Sequence, residues 1–404
     1  MGVTKESFGF LEDKREAFLY TIENQNGFAV KVTDFGVNIV SLLVKNKEGN
    51  IKDVALGYDT LEEYFENGIM FGATVGRNVN RISNARFEID GKEYHVAKNR
   101  GKHNIHSDKE HGFHKVLWDS EIIDDHAVKF TYVSPDGEQG FPGTLVTNII
   151  YTVTATNELI VSYHAVSDKK TLINLTNHNY FNLGGHESGT IENTKVRIYA
   201  DEFTPINEDT IPTGEIRKVE HTPMDFREWK KIKNDLYAED EQLEKGKGYD
   251  HNFVIRNKDC GFRKMAEAMD EEQGIKMEVY SDLPGLQFYT GNTMKSTKGK
   301  GGVIYGKGCG FCMEPHYFPN SINTKEFDAP VFDAGEVYQT VTMYQFVTKQ
   351  LMERRSCGNM TEKKKQQQGM KGSHLSMNAM NVQDVPIKQS ISKGITARPQ
   401  WKKG

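Results

Sequence analysis

The stretch "TLVTNIIYTVTATNELIVSYHAV", residues 144–166, decides the fold. It alternates or runs apolar, and Val, Ile and Thr recur in it, as they do in β-strands. The same texture extends outward in both directions. "FAVKVTDFGVNIVSLLV" and "AVKFTYVSP" precede it; "TKVRIYADEFTPI", "IKMEVYSDLPGLQFYT" and "VYQTVTMYQFVT" follow. "RFEIDGKEYHV" reads as two strands joined at Asp90-Gly91, a strong hairpin signal. "SPDGEQGFPG", "NLGGHESGT" and "DLPG" supply turns between the runs. Helical signals are few: "DTLEEYFEN" has the pattern of a capping box, and "DEQLEKG" predicts a second short helix. Many strands without alternating helices predict an all-β sandwich or barrel.

The chain has 404 residues, 37% hydrophobic and 26% charged, with a net charge of -5. This describes a globular protein large enough to bury a substantial core and excludes a strongly basic nucleic-acid binder. There is no run of about 18 apolar residues that would span a membrane, and the polar start "MGVTKESFGFLEDKREAF" does not read as a secretion signal. Four cysteines are too few for a disulfide framework, so a reducing cytoplasm is the expected setting. The glycosylation pattern at Asn174 is then a chance match. No linker or repeat breaks residues 1–352, read as one domain. Residues 353–404 carry eleven Lys and Arg against three Asp and Glu and have no apolar periodicity. A basic, disordered tail is predicted there.

"KGCGFCMEPHYFP", residues 307–319, contains a Cys-x-x-C spacing. A redox site of that kind needs a helix N-terminus after the first thiol, but both flanks read as strand and Pro315 bars a helix. On a strand Cys309 and Cys312 point to opposite faces, while Cys312 and Glu314 share one, away from Phe311 and Met313. A carboxylate among apolar strand neighbours is costly unless paired or used.

Other polar groups interrupt apolar strands. "TLINLTNHNYFNLGG" places Asn174, Thr176, His178 and Tyr180 on one side. "GYDHNFVI" places Asp250 and Asn252 on one face and His251 and Phe253 on the other. "MFGATVGRNVNRISNARF" carries Asn80 and Arg81 among small and apolar residues. "KHNIHSDKEHGFHKVLW" is rich in histidine; without further ligands at metal spacing, His103 and His106 read as hydrogen-bonding groups rather than zinc ligands. No serine elbow, phosphate loop or dinucleotide fingerprint occurs. One Glu, several His, an Asp, an Arg and amides suit a neutral polyhydroxylated substrate. Aromatics such as Phe288 or Tyr289 would stack on its C–H faces.

"FGATVGRNVNRI", "DGKEYHV", "NIHSDKEHGF", "INLTNHNYFNLGG", "TPMDFR", "GYDHNF", "PGLQFYTGN" and "GFCMEPHYFPNSIN" together resemble the aldose 1-epimerase (galactose mutarotase) family, in order and spacing, from about residue 17 to 350. The resemblance implies a large antiparallel β-sandwich with an open sugar-binding cleft and few helices. It implies interconversion of the α and β anomers of free hexoses such as galactose and glucose, with no metal or organic cofactor. By position it makes Glu314 the general base and His178 the general acid, with Asn80, Arg81, His106, Tyr180, Asp250 and Gln287 around the sugar. Glu314 has to be ionised for this, and Arg81 is expected to help. The chain departs from the family pattern at Ser107-Asp108, commonly Gly-Gly, and at Pro315-His316, often Thr-Gln. The expected partner is a free hexose, with no nucleic acid or membrane, and the expected state is a monomer or weak dimer. Two alternatives remain: a sugar-binding or regulatory module without turnover, and an epimerase of hexose 6-phosphates, which would need more positive charge than Arg81 supplies.

Overall fold

The computed structural model describes residues 1–257 and 260–348. The tail expected at 353–404 lies outside the described residues.

The architecture is antiparallel β-sheet throughout. Leu145–Val153 and Glu158–Ser167 pair in register, and their inward positions alternate strictly: Leu145, Ile149, Tyr151, Val153, then Leu159, Val161, Tyr163 and Ala165 are buried. They lie inside a nine-stranded sheet that also includes Asp119–Asp124, Ala127–Ser134, Val337–Thr348, Ile275–Ser281 and Arg263–Asp270. A five-stranded sheet is built from the first five strands, Gly2–Phe10 through Ile51–Asp53. Its first strand was not legible in the polar opening of the chain; it is largely exposed and held by pairing with Glu16–Glu23. A second five-stranded sheet runs in the order Arg217–Lys218, Ala200–Thr204, Asp250–Ile255, Gly285–Tyr289, Cys312–His316. The three sheets share one core, in which Val32, Ile149, Phe253, Phe288, Met313 and Tyr344 meet. This is the packing of a sandwich, since the facing sheets bury their apolar sides against each other.

The local expectations hold. Arg86–Ile89 and Lys92–His95 form the predicted hairpin, and Asp90 and Gly91 take φ of 51° and 77°, as a tight primed turn requires. The two α-helices are Leu61–Glu66 and Glu241–Gly246. Glu63 Oε2 accepts from the Thr60 backbone N–H at 3.1 Å, and Asp240 caps the second helix at Gln242 and Leu243. No helix among the described residues is long and apolar enough to cross a membrane.

Cys309 departs from expectation. The strand is Cys312–His316, and Cys309 lies before it in a turn, its sulfur accepting from the Gly306 N–H. Gly306 and Gly308 break the extended run that "GVIYGKG" suggested. Pro315 is tolerated because its strand is the edge of the sheet. Its carbonyl accepts from Thr176 Oγ1 at 2.8 Å, tying this edge to the short strand Thr176–His178.

Candidate active site

Three neighbouring strands form the floor. Asn252 pairs with Gln287, and Gln287 with Glu314, so one polar row crosses the sheet. Period-two alternation adds Asp250, Tyr289 and Cys312 to the same face and sends His251, Phe288 and Met313 into the core. Phe288 is fully buried there, so it cannot stack on a ligand, whereas Tyr289 lines the cavity. Gln287 and Phe288 are adjacent and cannot both face one cleft; that argument was available from sequence.

His178 enters from the adjoining strand Thr176–His178. Its Nε2 lies 3.6 Å from Glu314 Oε1, and both side chains are nearly inaccessible to solvent. The imidazole is held by two rings: Tyr180 lies 5.1 Å away at 39°, and His106 stands edge-on at 5.1 Å and 85°. Its Nδ1 lies 3.7 Å from the Cys312 sulfur.

Asn80, Arg81 and His106 come from the pairing of Arg81–Ile82 with Asn104–Ile105. His106 Nδ1 accepts from the Asn80 backbone N–H at 3.2 Å, so Nε2 carries the proton and is free to donate. Asn80, His106 and Ser107 have φ of 62°, 54° and 61°. Left-handed backbone at three non-glycine residues in one rim is strained and held by its surroundings. Ser107, where the family commonly has glycine, compensates through its own hydroxyl, which accepts from Asn78 N and donates to Asn78 O. Asp108 accepts from the backbone N–H groups of Glu110 and His111 and so closes the loop instead of facing His106.

A chain of hydrogen bonds links the binding candidates. His316 Nδ1 lies 2.6 Å from the Tyr317 carbonyl, so Nδ1 carries the proton and Nε2 can accept from the Asn80 amide 3.4 Å away. Asn80 Oδ1 accepts from Arg81 Nη1; Arg81 Nη2 reaches Asp250 Oδ2 at 2.6 Å; Gln287 Nε2 reaches Asp250 Oδ1 at 2.6 Å. Arg81 Nε, Gln287 Oε1 and Glu314 Oε2 are buried and have no hydrogen-bond partner among the described residues. Buried polar atoms left unmatched around one hollow are what hydroxyl groups of a ligand would satisfy.

All eight residues singled out in the sequence, Asn80, Arg81, His106, His178, Tyr180, Asp250, Gln287 and Glu314, line one cavity of about 160 Å³. Asn174 and Thr176 do not. Asn174 instead clamps the backbone of Tyr317 with both ends of its amide. His103 faces away, against Asp209 at 3.1 Å. Sequence reasoning missed Arg100 and Lys109, exposed cations at the mouth, because nothing in their neighbourhood marks them as facing the cleft.

The electrostatics correct one expectation. Burial, and then the negative charge of Asp250, push the Glu314 carboxyl well above the usual carboxylate range; Arg81 pulls the other way and loses. Arg81 is hydrogen-bonded to Asp250 and Asn80; it favours the carboxylate form of Glu314 as expected, but less than burial and Asp250 oppose it. Burial likewise pushes His178 down to about 4 and His106 well below its ordinary value. Burial thus disfavours charge on both members of the Glu314–His178 pair.

His178, Cys312 and Glu314 offer donor atoms within 4.8 Å of one another. The thiol contacts Nδ1, however, and the carboxylate faces Nε2. The ring stands between them, which no single tetrahedral ion could bridge without rearrangement.

The Arg81–Asp250 pair makes a stability prediction. The two side chains are 4% and 15% exposed. Arg81→Leu leaves a buried carboxylate unpaired and is expected to cost about 3–5 kcal/mol, while Arg81→Leu with Asp250→Leu recovers most of it. Urea unfolding of the three proteins checks this; equal losses in the single and double variants would contradict it.

A sandwich whose open cleft joins one carboxylate to one imidazole, among amides and an arginine, has the makings of a proton-moving enzyme for polyols. Comparison with known proteins narrows the class. The family model described as aldose 1-epimerase matches residues 19–345. The human galactose mutarotase is 40% identical over 319 residues, 78% of this chain and 90% of that one. The aldose 1-epimerase of Escherichia coli K12 is 35% identical over 331 residues, covering 81% and 95%. Among solved structures, an aldose epimerase homologue from C. elegans superposes with a TM-score of 0.76 at 29% identity, covering 82% of this chain and 99% of that one. A galactose 1-epimerase from Lactobacillus acidophilus gives 0.75 at 25% identity, covering 86% and 98%. The chain belongs to the aldose 1-epimerase family.

Proposed function

We propose that this protein interconverts the α and β anomers of free hexoses such as galactose and glucose, with Glu314 as general base and His178 as general acid. The observation that carries the proposal is the 3.6 Å approach of Glu314 Oε1 to His178 Nε2 on the wall of one polar cavity. Glu314 takes the proton of the C1 hydroxyl while His178 gives one to the ring oxygen. The C1–O5 bond breaks and C1 becomes an aldehyde carbon. After rotation about C1–C2 the two transfers run backwards, and the ring closes on the other face with both groups restored. Coupling the steps avoids a free alkoxide, and each positioned proton transfer contributes roughly 10²–10⁴ in rate.

The resting pair and the working pair contain the same number of protons. Glu314 protonated beside neutral His178 becomes carboxylate beside imidazolium when one proton crosses the gap between Oε1 and Nε2. Such a pair titrates as a unit. Raising Glu314 and lowering His178 to about 4 both widen the pH range over which the pair holds one proton. kcat/KM is therefore expected to show no transition at the ordinary imidazole value, since His178 is pushed down to about 4; a fall centred near 6.5 would mean that an ordinary imidazolium is the acid.

Arg81, Asp250 and Gln287 hold the hydroxyls remote from C1, His106 Nε2 and the Asn80 side chain donate to others, and Tyr180 and Tyr289 supply apolar surface. The chemistry so derived uses no cofactor. A net charge of -5 and few cysteines support action in the cytoplasm, without nucleic acid; the assembly proposed is a monomer or weak dimer. Polarimetry of freshly dissolved α-galactose tests the proposal: the protein should speed the drift of rotation. Binding without acceleration would instead indicate a sugar-binding module. Arg100 and Lys109 add positive charge at the mouth, so glucose and glucose 6-phosphate should be run side by side. A faster phosphorylated substrate would replace the free hexose in the assignment.

A further inference from the structure

Cys312 has no part in the scheme above, yet its sulfur touches the group on which the scheme turns. It is completely buried, lies on the same strand face as Glu314, and contacts His178 Nδ1 at 3.7 Å, within reach of a hydrogen bond to sulfur. The opposite ring nitrogen, Nε2, faces Glu314. Tyr180 and His106 fix where the ring lies, but ring packing is indifferent to which nitrogen carries the proton. That choice is set by hydrogen bonds.

We propose that Cys312 is a positioning residue: its sulfur accepts from His178 Nδ1–H and thereby reserves Nε2 for the proton that moves. The inference rests on the assignment of His178 and Glu314 given above. Proton accounting supports it. His178 gives the Nε2 proton to the ring oxygen and later recovers it, while Nδ1–H is present before and after. The partner of Nδ1 must therefore be an acceptor in both states. In the resting pair, Nε2 then has a lone pair to receive the proton of Glu314, as the one-proton state requires.

The choice of sulfur has a physical reason. A carboxylate at this position would stabilise the imidazolium and make it a reluctant acid. A thiol is a weak, uncharged acceptor. Burial, with Glu314 and Asp250 nearby, pushes the thiol well above its ordinary value, so it adds no charge. The same burial distinguishes it from Cys309, which lies in a turn and bonds to backbone. The Cys-x-x-C spacing thus joins two residues with unrelated surroundings.

Nitrogen-15 NMR of histidine-labelled full-length protein reads the tautomer directly. In the substrate-free protein at pH 7.5, His178 should carry its proton on Nδ1, and in Cys312→Ala the signal should shift toward a mixture of tautomers. In polarimetric assays Cys312→Ala should lower kcat by roughly tenfold with KM for galactose unchanged. Cys312→Ser, whose hydroxyl can also accept, should recover part of that loss, and Cys309→Ser should do nothing. An Nε2–H tautomer in the wild-type protein, or identical tautomer and kcat in Cys312→Ala, overturns the proposal. If Cys312→Ala does not fold, the wild-type tautomer alone still decides. Since the tautomer is read without substrate, it stands or falls separately from the catalytic assignment, which fails if Glu314→Gln and His178→Asn remain active.

Discussion

Glu314→Gln should reduce mutarotation of galactose by about 10²–10⁴ in kcat and leave KM within a few-fold. The amide keeps the size and most of the polar contacts of the carboxyl but cannot accept the C1 proton. The same variant should unfold at the same temperature as the wild-type protein or higher. Glu314 is 2% exposed and one of its oxygens has no partner, so the wild-type group is costly to bury and Gln removes an ionisable one. A loss of activity without loss of stability is the signature of a residue kept for chemistry. Retained activity, or a large drop in melting temperature, would show that Glu314 serves the fold instead. His178→Asn should behave alike in kcat.

Acid should unfold this protein early. Five buried imidazoles, His106, His114, His178, His251 and His316, are pushed down chiefly by burial: His178, His251 and His316 to about 4, His114 to about 3, and His106 well below its usual value. Below pH 6.5 the unfolded chain protonates them and the folded chain does not. The unfolded state then binds more protons, so stability is full above 6.5 and falls as pH falls toward 4. A histidine kept neutral down to pH 4 costs about 3 kcal/mol there, at about 1.4 kcal/mol per pH unit. Three of them match the ~5–15 kcal/mol that holds a typical domain together. Two buried carboxyls act in the opposite sense and offset part of the loss: Asp34, pushed up to about 6 mainly by burial, and Glu314. The expected outcome is cooperative unfolding with a midpoint between pH 4 and 6, followed through the buried Trp118. His316→Gln should gain stability at pH 5 relative to wild type but not at pH 8. Native fluorescence at pH 4 would refute the account.

The residues of the cleft were legible because strands alternate. Asp250 and Glu314 each occupy a strand position whose neighbours point inward, whereas Gln287 came from the family resemblance; the sheet then sets the three close together. The short strands Arg81–Ile82 and Thr176–His178 were harder to read, since two or three residues carry no lasting period: alternation rightly grouped His178 with Tyr180 but added Asn174 and Thr176, which do not line the cavity. Protonation was not legible at all. Arg81 and Glu314 look like a natural pair in sequence, but Asp250, 169 residues further on, claims the guanidinium. What Glu314 then experiences is burial, a property of the assembled sandwich. For the same reason "CGFC" could be rejected as a redox motif from its flanks, whereas the meeting of Cys312 with His178, 134 positions away, could be seen only in three dimensions.

The polar row across Asn252, Gln287 and Glu314 has a consequence for quality control in the cell. Slippage of the edge strand by a single position would exchange Glu314 for Met313 or Pro315, drive a carboxylate toward the apolar interior and present a side chain that cannot take up a proton. Mispaired molecules would be both inactive and poorly packed, so turnover measured per molecule reports the fraction of chains whose edge has docked in the native alignment. Insertions engineered between Tyr289 and Cys312 should be survivable where they lengthen the connection, and damaging wherever they alter the parity of the strand that follows.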